Sequence, residues 1–247
     1  MRSAPPSPPP LATPSICSNH LSAITACRPV RLARRTPSGA TTTTAWQAWI
    51  VTSQPDVVFL DGLDIFTGAV GRLDASDWER PSPCEGWRAL DVLGHVGAAV
   101  EFGTLLLMDR KPAWSPADPP GGAVEGEPAT WWDALVEPAR RAVAGVDLAK
   151  VVDSPMGRRP VGEGLSFPAL DLFVHAWDLA RSVGDDIGVP AAVVDFARAV
   201  IDPLPEAAVR NDRVFAAPAP TPADASPSQA FIAWTGRDLR WSPVAGR

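Results

Sequence analysis

The stretch Asp171-Leu-Phe-Val-His175 places an aspartate four residues before a histidine within an apolar run, and Asp91-Val-Leu-Gly-His95 repeats the pattern earlier in the chain. On an α-helix, positions i and i+4 lie on the same face, so each pair directs a carboxylate and an imidazole the same way. The chain has three histidines, and two of them occupy these matched positions. We therefore interpret the two motifs as halves of one metal site.

Both motifs lie among apolar residues that recur at helical spacing. Apolar residues recur at helical spacing from Phe59 to Leu73, which predicts a first helix with one apolar stripe. Three more helices follow, and they place His95 on the second helix and His175 on the fourth. This order indicates an all-α fold, a four-helix bundle whose interior commonly holds metals. The predicted helices of the bundle cover about 55–73, 89–108, 129–144 and 166–183.

Composition divides the chain into three parts. Residues 1–50 are rich in Pro, Ser, Thr and Arg, cannot form a core, and are predicted to be a disordered extension. A transit peptide, a flexible tail and a start codon assigned too far upstream all remain open for it. We favour the third because Val51-Thr-Ser-Gln54 directly precedes the first helix and a valine codon can serve as a bacterial start. Residues 51–185 form the predicted bundle. Residues 186–247 are predicted to be a helical and irregular extension packed on it.

The charge and the cysteine content of the chain argue against some classes of function. The net charge is −6, and because residues 1–50 hold five Arg and no acid, residues 51–247 carry −11. An acidic body argues against binding nucleic acid. The longest apolar run, Val92 to Met108, is interrupted by polar residues and glycines, so we expect no membrane span. The body has one cysteine, Cys84, which fits a cytoplasmic protein and is interpreted as a loop residue rather than a nucleophile.

The candidate metal ligands are His95, Asp171 and His175. Catalytic zinc sites use three such nitrogen and oxygen ligands and keep one position open. Asp178 lies further along the same helix face and is expected to orient an imidazole, and Asp91 is a candidate for the same role toward His95. The alternative is that both histidines are hydrogen-bonded core residues and that Asp91 favours the positive end of a helix dipole.

At these residues the chain resembles a known family. Pro83-Cys-Glu-Gly-Trp87-Arg-Ala-Leu-Asp91-Val-Leu-Gly-His95 resembles the "P-C-x-G-W-x-x-x-D-L-x-x-H" signature of actinobacterial DinB-like proteins, which belong with the metal-binding domain of mycothiol-dependent maleylpyruvate isomerases. The stretch from His175 to Arg181 resembles the "H-x-W-D-L-A" helix of that group. The ending at Thr235-Gly-Arg-Asp238 is similar to the tail of its smaller members.

The resemblance implies a DinB-like four-helix bundle, with a short C-terminal extension, that holds a divalent metal such as zinc through His95, Asp171 and His175. In the isomerase the acidic ligand is Glu, so the shorter Asp171 changes the expected ligand distance and metal preference. Only about 60 residues follow Gly184, so the separate C-terminal domain of the isomerase is not expected, nor is maleylpyruvate isomerisation itself.

The function implied by the resemblance is that of a thiol-dependent transferase or isomerase, with mycothiol as co-substrate and an electrophilic small molecule as substrate. The alternative is a non-catalytic metal-binding or ligand-sensing helical bundle. Whether the chain is an enzyme stays open at this point, because similarity to a family is by itself weak evidence for a catalytic activity. No catalytic residue beyond the metal ligands is singled out. Helical bundles commonly dimerise, so a homodimer is a further expectation without a predicted interface.

Overall fold

The computed structural model describes residues 54–111, 117–154, 157–211 and 214–243, and the predicted N-terminal extension lies outside them. The described residues are mainly helical, which confirms the all-α prediction. Two short strands, which were not predicted, pair antiparallel between the third and fourth helices. The α-helices are α1 Pro55–Val70, α2 Ala89–Leu107, α3 Pro128–Val143, α4 Val161–Ser182, α5 Ala191–Ile201, α6 Glu206–Val209 and α7 Pro227–Trp234, and the strands are β1 Val151–Val152 and β2 Arg159–Pro160.

The first four helices form the bundle around one apolar core. Helix α1 runs parallel to α4, because Pro55 lies near Gly162 at their starts and Gly62 lies against Leu172 further along both. Each of the large core side chains removes apolar surface from water and stabilises the fold by about 1.5–3 kcal/mol. The fully buried side chains of this core include Phe59, Leu63, Phe66, Leu93, Trp132, Leu165 and Leu172.

Helix α2 packs against α3 and α4 and runs antiparallel to α4. Its end packs against the start of α4, with Leu106 near Gly164, while His95 near its beginning lies against Asp171. Among the described residues, α2 is the one helix long and apolar enough to cross a membrane, with 19 residues and a mean hydropathy of 1.4. Because 72% of that stretch is buried inside the protein, its apolar character is accounted for by packing in the core.

The residues after α4 pack on the face of α4 that points away from the bundle core. Phe173 and Trp177 of α4 form a second apolar cluster with Phe196 of α5 and Phe231 of α7. Beyond α7, residues 235–241, here called the C-terminal segment, return to the end of α4. This return brings side chains from the far end of the chain next to the two histidine helices.

Candidate metal centre

A tight turn over residues 82–87 lies directly before α2 and carries two residues of the site, Cys84 and Trp87. The Ser82 backbone N–H donates to the Trp87 carbonyl at 2.9 Å, and the Ser82 hydroxyl also donates to that carbonyl at 3.0 Å. The Cys84 N–H donates to the Ser82 hydroxyl oxygen at 3.2 Å. Gly86 within the turn has φ 78°, a conformation that costs glycine little. The turn therefore fixes Cys84 and Trp87 against the bundle.

The prediction that Asp91 orients His95 is wrong, and the alternative, that Asp91 favours the positive end of a helix dipole, is confirmed by its position. It lies in the first turn of α2, where its Oδ2 accepts from the Arg88 backbone N–H at 2.9 Å and its Oδ1 accepts from the Gly121 N–H at 3.1 Å. The carboxylate turns back toward the start of the helix because unpaired N–H groups and the positive end of the dipole lie there. Asp91 is thus a helix-capping residue that also fastens the 120–123 turn.

The three candidate ligands converge between α2 and α4. His95 Nε2 lies 3.3 Å from Asp171 Oδ2, and His175 Nε2 lies 3.9 Å from Asp171 Oδ1. One ligand atom from each of the three residues lies within 4.8 Å of the other two. The two motifs therefore meet in space, with a carboxylate between two imidazole nitrogens.

These distances suit a small divalent cation. Zinc bonds nitrogen and oxygen at about 2.0–2.1 Å with tetrahedral geometry, so two of its ligand atoms lie about 3.3 Å apart. The separation of His95 Nε2 from Asp171 Oδ2, 3.3 Å, matches that value, and the separation of His175 Nε2 from Asp171 Oδ1, 3.9 Å, exceeds it. Two imidazoles with one carboxylate are a donor set that zinc accepts. The Asp171 side chain is 19% exposed whereas both histidines are buried, so solvent reaches the cluster from the carboxylate side.

A second carboxylate holds the His175 ring from its other nitrogen. Asp178 Oδ2 lies 2.8 Å from His175 Nδ1, as expected of an orienting carboxylate. A carboxylate can only accept, so Nδ1 carries a proton and donates a hydrogen bond here. In the neutral imidazole, Nε2 then has a lone pair on the Asp171 side. This is the arrangement that metal-binding histidines usually show.

Arg237 from the C-terminal segment neutralises Asp178. Burial by itself would raise the pKa of the Asp178 carboxyl, but the positive charge of Arg237 and the hydrogen bond from His175 outweigh it and hold that pKa well below its usual range. The Arg237 guanidinium donates to both oxygens, at 3.2 Å from Nε and 2.9 Å from Nη2. Asp178 is therefore a buried, ionised and fully engaged carboxylate.

The surroundings of His95 favour its neutral form. Burial lowers the pKa of His95, the hydrogen bond to Asp171 opposes that shift, and the positive charge of Arg237 reinforces it. A neutral imidazole is the form that binds metal ions. The environment thus keeps His95 available as a ligand at a lower pH than an exposed histidine.

Cys84 is part of the same cluster, although the sequence analysis interpreted it only as a loop residue. Its Sγ lies 3.3 Å from Asp178 Oδ2 and 3.9 Å from His175 Nδ1, on the opposite side of the imidazole from Asp171. Cys84, His175 and Asp178 form a second group of atoms close enough to hold a metal. Arg237 Nη2 lies 3.9 Å from that sulfur, and its positive charge opposes a cation there.

Trp87 covers the two histidine rings. Its ring centroid lies 5.2 Å from that of His95 and 6.5 Å from that of His175, and the two imidazoles are 4.8 Å apart. Trp87 therefore packs against the candidate ligands. The signal for both Trp87 and Cys84 was the quoted motif from Pro83 to Trp87, directly before α2.

The sequence of the bundle is similar to a known protein family. Residues 59–180 match the model of the family described as the mycothiol maleylpyruvate isomerase N-terminal domain. Two uncharacterized proteins of Mycobacterium tuberculosis, MT0763 of strain CDC 1551 / Oshkosh and Rv0738 of strain ATCC 25618 / H37Rv, are each 26% identical over 182 residues, which is 72% of this chain and 94% of the relative.

A crystal structure of the mycothiol-dependent maleylpyruvate isomerase superposes with a TM-score of 0.48 at 15% identity, over 61% of this chain and 67% of that one. The family match, by contrast, rests on sequence and runs from α1 into α4. It includes His95, Asp171 and His175, and it ends before Arg237. Over residues 59–180, the chain is similar in sequence to the mycothiol maleylpyruvate isomerase N-terminal domain family.

Proposed function

We propose that this protein binds one divalent metal, with zinc the first choice, and uses it in a thiol-dependent transferase or isomerase reaction. The observation that carries the proposal is the convergence of His95 Nε2, Asp171 and His175 Nε2 between α2 and α4. The family to which residues 59–180 are similar supports mycothiol as the thiol. The proposed substrates are thus a small thiol and an electrophilic small molecule.

When bound, the metal would supply Lewis-acid chemistry that lowers the pKa of a thiol, and the thiolate is the attacking form. The protein's own residues prepare for that chemistry. Burial favours the neutral form of His95, and Asp178 fixes the orientation of the His175 ring. Trp87 covers the imidazole pair and excludes water from that side, while the partly exposed Asp171 marks the side from which a thiol enters.

The direct test is elemental analysis of the gently purified full chain beside the double variant His95→Ala, His175→Ala. We expect about one divalent metal per wild-type chain and none in the variant, because two of the three ligands are removed. Circular dichroism on both proteins controls for folding. Wild-type protein that takes up no zinc after incubation would contradict the proposal and leave two core histidines in a structural bundle.

A second measurement separates an enzyme from a metal-binding module without catalysis. Cobalt replaces zinc in the wild-type protein, and a small thiol such as mycothiol is titrated while the visible absorption is recorded. A thiolate that joins the metal changes the spectrum, whereas a closed metal site does not respond. Thiol-dependent turnover that survives in the metal-free double variant would rule out the proposed mechanism even if metal binds.

The compartment and assembly state are also proposals. Residues 51–247 contain the single cysteine Cys84, which supports the reducing cytoplasm. The net charge of −11 for the same residues supports a small-molecule partner over nucleic acid. Size-exclusion chromatography with light scattering measures whether the chain forms the homodimer that is common among helical bundles.

A further inference from the structure

The C-terminal segment carries one buried charge into the neighbourhood of the metal site. Arg237 is 8% exposed, and its guanidinium reaches the fully buried carboxylate of Asp178 on α4. Gly236 precedes it with φ 96°, and a β-carbon there would lie 2.7 Å from Ala216 Cβ. The backbone at Gly236 therefore has a conformation and a space that favour glycine, and this turn directs Arg237 inward.

Three side chains form a continuous chain of hydrogen bonds. Asp178 Oδ2 accepts from Arg237 Nη2 at 2.9 Å and from His175 Nδ1 at 2.8 Å, while Asp178 Oδ1 accepts from Arg237 Nε at 3.2 Å. With both oxygens held by the planar guanidinium, the carboxylate has one available orientation. The ring of His175 then has one orientation and one tautomer that satisfy Nδ1, and in these Nε2 faces Asp171.

We propose that Arg237 is a positioning residue of the metal site, which acts through Asp178 to hold His175 in the Nδ1–H tautomer with Nε2 directed toward Asp171. The effect of Arg237 on metal affinity rests on the function proposed above, whereas its effect on the tautomer of His175 does not. Arg237 lies outside residues 59–180, so the family match does not assign it this role. The segment after α7 thereby completes a site whose ligands all lie on the bundle.

A purely structural role for Arg237 makes a different prediction, and Arg181 offers the matched control. Arg181 also lies on α4 and also holds the C-terminal segment, by donating to the carbonyls of Leu239 and Trp241. It stacks on Trp177, with 5.4 Å from its guanidinium carbon to the ring centroid. Replacing Arg181 removes an anchor of the same segment from the same helix and leaves the hydrogen bonds of Asp178 in place.

The first readout is the tautomer of His175 in the metal-free full-length protein. Histidine labelled with ¹⁵N gives a simple spectrum because the chain has three histidines, and His175→Gln assigns the signal. We expect the Nδ1–H tautomer in the wild type and in Arg181→Gln. In Arg237→Gln we expect a mixture with the Nε2–H form, since the carboxylate has lost the donor that fixes it. Arg237→Lys keeps the charge but not the planar fork, so it restores the tautomer only in part.

The second readout is zinc affinity, measured by competition with a chromophoric chelator. Loss of the group that holds an orienting carboxylate should weaken zinc binding about 10–100-fold in Arg237→Gln. The affinity of Arg181→Gln should stay close to that of the wild type. If Arg237→Gln does not fold, as judged by circular dichroism, Arg237→Lys carries the same comparison.

The outcomes are distinguishable from those of the proposed function. A wild-type tautomer in Arg237→Gln, or an equal loss of tautomer and affinity in Arg181→Gln, overturns the positioning role and leaves Arg237 as an anchor of the segment. If the wild-type protein does not bind zinc, the proposed function is wrong. The ¹⁵N spectra still decide whether Arg237 controls the tautomer of His175.

Discussion

Asp171 Oδ2 lies 3.3 Å from His95 Nε2, although the two residues are 76 positions apart and belong to different sequence motifs. The aspartate of the second motif therefore connects α4 to α2 through the first motif's histidine. Asp91, its counterpart in the first motif, caps α2 instead. Two motifs that look alike in sequence thus place their aspartates differently, one between α2 and α4 and one at the start of α2.

Replacing each aspartate by asparagine should separate these roles. We expect Asp171→Asn to reduce zinc affinity by at least about tenfold, because an amide oxygen replaces the anionic ligand. Asp171→Glu should retain zinc, since it restores the carboxylate one methylene further out. Asp91→Asn should keep the wild-type affinity and cost about 1 kcal/mol of unfolding free energy as a weakened cap. Equal zinc loss in Asp91→Asn and Asp171→Asn would contradict the assignment.

Cys84 provides a test of which face of His175 binds the metal. Its sulfur lies on the Nδ1 side, beside Asp178 and Arg237, whereas Asp171 and His95 lie on the Nε2 side. We expect Cys84→Ala to retain one zinc per chain, measured by elemental analysis and chelator competition. His95→Ala, a truncation on the other side, should lose it. The reverse result would move the site to Cys84, His175 and Asp178.

The lowered pKa of His95 predicts a pH-dependent stability of the metal-free protein. Its ordinary value is about 6.5, and burial lowers it in the folded state, so the unfolded chain takes up the proton first. The contribution of His95 is therefore fully present above about pH 6.5 and is lost as the pH falls through its lowered folded-state pKa.

Urea unfolding between pH 7.5 and 5 measures this loss. His95→Gln is the control, since it keeps a polar side chain of similar length but does not titrate. We expect the free energy of unfolding to fall more steeply with acidification in the wild type than in the variant. Parallel pH profiles would show that burial of His95 does not control its protonation.

Two glycines give opposite predictions for the same substitution. A β-carbon on Gly94 would lie 2.1 Å from the backbone oxygen of Pro120, so alanine must displace the turn that Asp91 fastens. We expect Gly94→Ala to destabilise the protein by about 1–3 kcal/mol. At Gly68 in α1, where a β-carbon meets nothing within 4 Å, alanine should stabilise it by roughly 0.5–1 kcal/mol. Thermal unfolding of both variants measures the difference.

Much of the bundle was predictable because the helical spacing of apolar residues involves only residues that are close together in the sequence. The apolar stripe from Phe59 onward identified α1, and the i, i+4 motifs predicted helices that carry His95 and His175. The predicted start of α4 was five residues late, at 166 instead of Val161. Its first turns contain Gly162, Gly164 and Pro168, which have low helix propensity, and tertiary packing overrides that preference.

The remainder of the site depends on contacts between distant parts of the chain. Cys84 and His175 are 91 positions apart, and Arg237 and Asp178 are 59 apart, so no local spacing relates them. The role of Asp91 was mistaken for a related reason. Its spacing from His95 fits a shared helix face, but its position in the first turn exposes it to backbone N–H groups that compete for the carboxylate. Spacing predicts proximity along a helix and cannot rank competing partners.

The inward-directed Arg237 also sets an order of events during synthesis. At a typical 5–20 residues per second, the 59 residues between Asp178 and Arg237 take about 3–12 s to translate. From the synthesis of Ser182 onward α1 to α4 have all been made, while the carboxylate beside His175 still lacks its guanidinium. A nascent bundle can therefore collapse early, but its histidine pair reaches the mature arrangement only after the ribosome has delivered Arg237.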